Sequence, residues 1–226
     1  MTETNPATRR IRYWLIGLLL MSAVVTISYA WLDRPLAYFA HGELRQFDVF
    51  ERLTHIPEWF APLAIVFFLL IGLRGLAGYP LAKPEAVMLL CSLSLVTASA
   101  IKNQLKIIFG RTWPETWVGN NPSWIKDGVY RFEPLHGGRG WAALPSGHMA
   151  LIAAPCTVLW MLAPRIWRWL WAALILAMAI GLIASDYHFV GDMIAGTFVG
   201  WACGISAVAL TRGLVTPPEA PERALP

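Results

Sequence analysis

Charge is what this sequence has least of. Of its 226 residues only 14% are charged, where a soluble domain ordinarily carries roughly 25%. The deficit accompanies 57% hydrophobic residues, 12 Trp and a mean hydropathy of +0.52. That balance excludes a disordered chain and an ordinary water-soluble enzyme. Cysteine is scarce as well. Cys91, Cys156 and Cys203 each fall inside an apolar stretch, and no Cys-x-x-Cys spacing occurs. Buried thiols fit that pattern better than a disulfide framework or a metal site. Strand-like alternation and internal repeats are both missing. So is a basic patch interleaved with aromatics, although the net charge is +4. The Lys and Arg residues stand at the ends of apolar stretches, where they act as topology signals, and no nucleic-acid partner is expected.

What the chain does have is apolar blocks near the length that a helix needs to cross a hydrocarbon core about 30 Å thick. Six are readable, near residues 13–32, 59–76, 85–101 with an amphipathic extension to 109, 147–163, 167–184 and 188–210. The first follows Arg9, Arg10 and Arg12, and Ser28-Tyr29-Ala30 has the small-x-small look of a cleavage site. The block is longer than the hydrophobic region of most signal peptides, so a retained span is expected. The expected fold is all-α: a polytopic membrane protein built as a six-transmembrane-helix bundle. A long ordered extracytoplasmic loop, 110–146, joins helices three and four. One domain covers 1–214, and 215–226, rich in Pro and charge, reads as a disordered cytoplasmic tail.

Orientation follows from the basic residues. With the N-terminus inside, the cytoplasmic pieces hold nine Lys and Arg against four acidic residues, whereas the rest of the chain is close to neutral. Both termini are therefore expected in the cytoplasm, with 33–58 and 110–146 outside. The first outer segment suits the membrane surface. Trp113, Trp117, Trp124 and Trp141 argue for order in the second, at the interface.

Ionisable groups at membrane depth are costly, so each is a functional candidate. Lys102 and Lys106 close the third block, His148 opens the fourth, and His188 and Asp192 open the sixth. All five fall at one depth on the outer side. Pro145-Ser146-Gly147-His148 puts a turn directly before an apolar helix. The first amides of such a helix form an anion site, Ser146 serves as cap and anion contact, Gly147 allows close approach, and His148 offers a proton. His188 and Asp192 are four apart and share a helix face, so the carboxylate can orient the imidazole. Lys106 and Arg111 add cations suited to phosphate. Two histidines, cations and a helix N-terminus suit phosphoryl transfer without a metal. A metal site would have to draw on His148, His188 and Asp192 alone.

The order Lys106 … Trp113-Pro114, then Pro145-Ser146-Gly147-His148, then His188 … Asp192 resembles the type 2 phosphatidic acid phosphatase superfamily of integral membrane lipid phosphatases. That family carries Lys-x6-Arg-Pro, Pro-Ser-Gly-His and Ser-Arg-x5-His-x3-Asp. The resemblance implies Lys106, Ser146 and Gly147 as phosphate contacts and His148 as the acid for the leaving group. It implies His188 as the nucleophile that becomes phosphorylated and Asp192 as its orienting partner. It also implies metal-independent action, without a cofactor, on a lipid phosphate or pyrophosphate at the outer membrane face. Trp113 stands where the first motif has Arg, with Arg111 two residues earlier as the natural substitute. Gly181-Leu182 stands where the third has Ser-Arg, so Arg139, or else Arg131 or Lys102, is expected to supply that cation. Asp186, two residues before His188, adds a negative charge near an anion site, which is tolerable if it pairs with one of these cations.

The expected function is hydrolysis of a membrane lipid phosphate through a phosphohistidine, at the periplasmic face of a bacterial inner membrane. Candidate substrates are phosphatidic acid, phosphatidylglycerol phosphate, isoprenyl pyrophosphate and lipid A. The alternatives are a lipid phosphotransferase using the same phosphohistidine and a non-catalytic lipid-binding or transport protein on a decayed scaffold.

Overall fold

The computed structural model describes residues 5–117 and 119–211. The expected tail, 215–226, lies outside the described residues. Among those described, the regular structure is helical, and pairing between extended segments is limited to isolated bridges.

Helix α1 (Pro6–Ile27) does not stop where the first apolar block ends. It runs through a π-helical turn (Ser28–Leu32) into α2 (Asp33–Phe39) and a second π-helical turn (Ala40–Leu44). The extra residue in such a turn rotates the side chains that follow, and π-turns cluster at functional sites. Here Ser28 and Asp33 are turned inward and fully buried. The segment expected on the membrane surface is instead the continuation of α1, followed by the short α3 (Asp48–Thr54) packed on α8.

The remaining elements are α4 (Ile56–Leu76), α5 (Lys83–Phe109), α6 (Trp124–Asp127), α7 (Gly147–Leu162), α8 (Arg168–Ala184) and α9 (Val190–Leu210). Four runs are long and apolar enough to cross a membrane: Thr8–Leu44, Lys83–Phe109, Arg165–Ala184 and Val190–Leu210. Two apolar helices are shorter, Pro62–Leu76 and Gly147–Leu162. In α7 the cause is local. Pro145-Ser146 begins the helix at the depth of the site, with Ser146 as its cap accepting from the Met149 amide. The outward faces of α1, α4 and α8 expose Leu19, Leu20, Leu69, Leu70 and Leu176, as lipid-facing helices do.

The core is the packing of α7 against α9 and α5. On α9, Gly196, Gly200 and Gly204 recur every fourth residue and form one stripe. A Cβ on Gly200 would come within 2.5 Å of the Ala150 carbonyl oxygen, and one on Gly196 within 2.4 Å of that of Ser146. Small residues spaced this way let helix backbones touch, which is how apolar helices associate where lipid competes for every side chain. The contact also docks the start of α7 against the start of α9, where the Ser146 amide donates to the Asp192 carbonyl. Beside it lies a cluster of Met149, Ile152, Cys156, Met178, Leu182 and Met193. Leu182, at the family's arginine position, is therefore apolar core.

Helix α5 ends at Gly110, whose φ is +59°. A Cβ there would overlap the Glu133 carbonyl. The chain then enters the 111–146 connection, held by bridges of Arg111 to Phe132 and Ala142 and of Trp113 to Ser123.

Candidate active site

Three helix ends and one loop converge on a cavity of about 180 Å³. Lys102 and Lys106 come from the end of α5, Gly147 and His148 from the start of α7, and His188 from the turn before α9. Trp113 closes the loop side. The ring centroids of His148 and His188 are 6.2 Å apart, so both imidazoles reach the same small volume. The first turn of α7 brings its unpaired amides and positive dipole end to the same place. Lys102 lies against Gly147, its Nζ 3.4 Å from where a Cβ would stand. Lys106 donates to the Ala142 carbonyl and sits over the Trp113 ring.

The structure thus brings together Lys106, Gly147, His148 and His188. Ser146 is buried and caps α7 through Met149, so it shapes the floor of the site. Arg139 lines a wider cleft of about 590 Å³ that opens from the cavity through Lys102, Lys106 and Trp113. Trp113 is buried, not interfacial. Its ring lies 5.0 Å from His188 and 5.6 Å from Tyr187, and its Nε1 donates to the Arg139 carbonyl. Where the family motif has an arginine, this chain has an aromatic wall.

Behind His188 lies a second polar assembly. His188 Nδ1 is 3.3 Å from Asp192 Oδ2, leaving Nε2 as the ring nitrogen free of that contact. The Phe189 amide donates to the same carboxylate oxygen. Arg111 donates through Nη1 to Asp192 Oδ1 at 2.6 Å and through Nη2 to Asp33 Oδ2 at 2.6 Å. Arg111 was expected to face phosphate. Instead it is fully buried between two carboxylates, with Tyr29, Tyr130, Phe132 and Phe189 around its guanidinium. Burial works against that charge, but Asp192 and then Asp33 outweigh it, and Arg111 is held above its ordinary pKa. Burial pushes the His188 imidazole below its ordinary value, against the hydrogen bond and charge of Asp192, while Lys106 and Arg111 push it further down. A neutral, nucleophilic ring is favoured.

Asp33 was not found in the sequence. It stands just after the first apolar block, 78 residues from Arg111, where a charged residue marks an ordinary end of a span. Asp186 pairs with His41, at 2.9 Å, rather than with Arg139, Arg131 or Lys102. Burial lifts the Asp186 carboxyl to about 6 against the pull of His41. His41, Glu115 and Asp186 are the one group of potential metal ligands that converges among the described residues, within 4.8 Å of one another. Arg45 already occupies Glu115 there, at 2.5 Å.

Comparison with curated proteins and with solved structures found no match. A family model, the PAP2 superfamily, matches residues 87–214, which covers α5, the loop that follows, α7, α8 and α9. With more than half of the chain matched and the histidines, lysines and helix N-terminus gathered at one cavity, the chain belongs to the PAP2 superfamily of phosphatases.

Proposed function

We propose that this protein hydrolyses a lipid phosphate or pyrophosphate without a metal, through a phosphohistidine at His188. The observation that carries this reading is the cavity where His148, His188, Lys102, Lys106 and the amide end of α7 meet. His188 Nε2 attacks phosphorus. As the N–P bond forms, the bond to the leaving oxygen breaks and His148 gives that oxygen a proton. Asp192 holds the ring through Nδ1 and stabilises the positive charge it gains. Lys102, Lys106 and the α7 amides bind the phosphoryl oxygens as charge builds on them. Water, losing a proton to His148, then cleaves the N–P bond and releases phosphate.

In this reading six helices, including the two shorter ones, cross the membrane within a domain of residues 1–214. Both termini are cytoplasmic and the site lies at the outer face of a bacterial inner membrane. The lipid tails stay in the bilayer and the head reaches the cavity. The wider cleft beside Lys102 and Arg139 favours a second reading, in which a hydroxyl acceptor replaces water and the protein is a phosphotransferase. The test is phosphate release in detergent with EDTA from phosphatidic acid, phosphatidylglycerol phosphate, isoprenyl pyrophosphate and lipid A. His188→Ala abolishes it. Activity that survives the substitution overturns the mechanism, and activity lost with EDTA overturns metal independence. Label on a second lipid instead of free phosphate identifies the transferase.

A further inference from the structure

We propose that Asp33 is a positioning residue for the reaction, supplying the negative charge that lets Asp192 support His188 although Asp192 is also paired with Arg111. The inference rests on the reading of His188 as nucleophile.

Asp33 comes from the π-turn junction of α1 and α2, outside the matched residues 87–214. Its Oδ1 accepts from Ser28 Oγ at 2.6 Å and from the Gly191 amide at 3.0 Å, and Oδ2 accepts from Arg111 Nη2 at 2.6 Å; the Tyr130 hydroxyl lies 3.1 Å from Oδ2 and shares its one proton with the Tyr29 carbonyl at 2.8 Å. Both carboxylate oxygens are thus held, one by two donors and the other by the Arg111 guanidinium. The Gly191 amide also ties it to the turn that carries His188 and Asp192.

Charge balance gives this geometry its chemical meaning. An imidazole that attacks phosphorus gains positive charge, and an adjacent carboxylate stabilises it. Asp192 alone would do so, but its other oxygen is bound to Arg111 at 2.6 Å, and a neutral ion pair offers His188 little. Asp33 on the far side of the same guanidinium, also at 2.6 Å, makes the row Asp192, Arg111, Asp33 net negative. The other charged or titratable groups near His188 among the described residues include Lys102 and Lys106 from α5, His148 from α7 and Tyr187 beside it in the turn, and none of these is a carboxylate. Asp186, two residues away, is turned to His41. Asp33 thus restores the anionic character that Arg111 takes from Asp192.

The test is charge accounting in the full-length protein. Asp33→Asn keeps the shape and removes the charge, leaving the row neutral. The expected result is a kcat lower by about 10- to 100-fold at unchanged KM. The acid limb of the kcat/KM profile moves to lower pH, because the His188 cation is less stabilised. Asp33→Asn with Arg111→Gln returns the row to one negative charge on Asp192. The double variant is expected to recover kcat relative to the single one and to bring the acid limb back. A purely structural part for Asp33 predicts an unmoved limb and a double variant no better than the single, and either result overturns the inference. Thermal midpoints are read alongside. Should Asp33→Asn not fold, the double variant decides. A wild-type limb with at least a tenth of the wild-type kcat supports the inference, and a folded double variant as inactive as His188→Ala overturns it. The parent reading fails separately, when His188→Ala itself retains activity.

Discussion

The cations on the two sides of His188 live in opposite surroundings. In front, Lys102 and Lys106 border a cavity lined, among the described residues, without a carboxylate. Behind, Arg111 is enclosed by Asp33, Asp192 and four aromatic rings. A cation without an anion is a binding site waiting for one, whereas a cation already held by two carboxylates is part of the scaffold. Residue type therefore does not tell which cations are open to a phosphate and which are scaffold. Their partners do.

The largest expected effect follows from the rear side. Arg111→Met leaves two buried carboxylates without their cation, a change of the kind that costs about 3–5 kcal/mol. The expected outcome is loss of folded protein, read as yield and thermal midpoint in detergent. A variant that folds normally would mean the rear assembly is not scaffold. Next is Lys106→Met in front. It should lower kcat/KM by about 100-fold, on the scale of one preorganised donor, and leave the thermal midpoint unchanged or higher, since a half-buried lysine without a carboxylate partner adds little stability. A matching fall in stability would erase the distinction between the two sides.

Gly200→Val tests the frame that holds them together. Its side chain would meet the Ala150 carbonyl at 2.5 Å, and forcing α7 from α9 should cost about 1–3 kcal/mol. The activity lost should track the fall in midpoint. A smaller effect is expected from Asp186. Its carboxyl is raised to about 6 in the fold by burial, so between pH 4 and 6 the folded chain holds a proton that the unfolded chain has released. Stability should therefore fall as pH rises through that window. Asp186→Asn should flatten that fall, as read from melting curves at a series of pH values. The smallest is Arg139→Leu. From the rim of the wider cleft it should raise KM by a few-fold with kcat unchanged, and a drop in kcat would move Arg139 to the front cations at the cavity.

The helices were legible in the sequence because apolar blocks and their Pro, Ser and Gly punctuation are local signals. Pro145-Ser146-Gly147-His148 marked the start of α7, and the spacing of His188 and Asp192 predicted a shared face. The ends of those elements then converge, because the glycine stripe lets α7 and α9 touch. The destination of Arg111 was not legible. It lies two residues from a motif position and looks like a phosphate ligand, but what decides its role is Asp33, far away in the chain and brought inward by a π-turn that no apolar pattern announces. Trp113 was misread for a similar reason. Tryptophan in an outer loop fits the membrane interface, and only the fold shows it walled in beside His188. Leu182 could be seen as a departure from the motif, but its burial in the Met149 and Met193 cluster depends on packing between α7, α8 and α9.

The link from α2 through Arg111 to α9 also makes the site depend on distant parts of the chain. Asp33 belongs to the Thr8–Leu44 run and Asp192 to α9, and Arg111 is enclosed only when both are in place. Without both, the chain carries its histidines and lysines without the frame that aims them. The candidate site is in this way complete only when two elements far apart in the chain have closed on the same guanidinium.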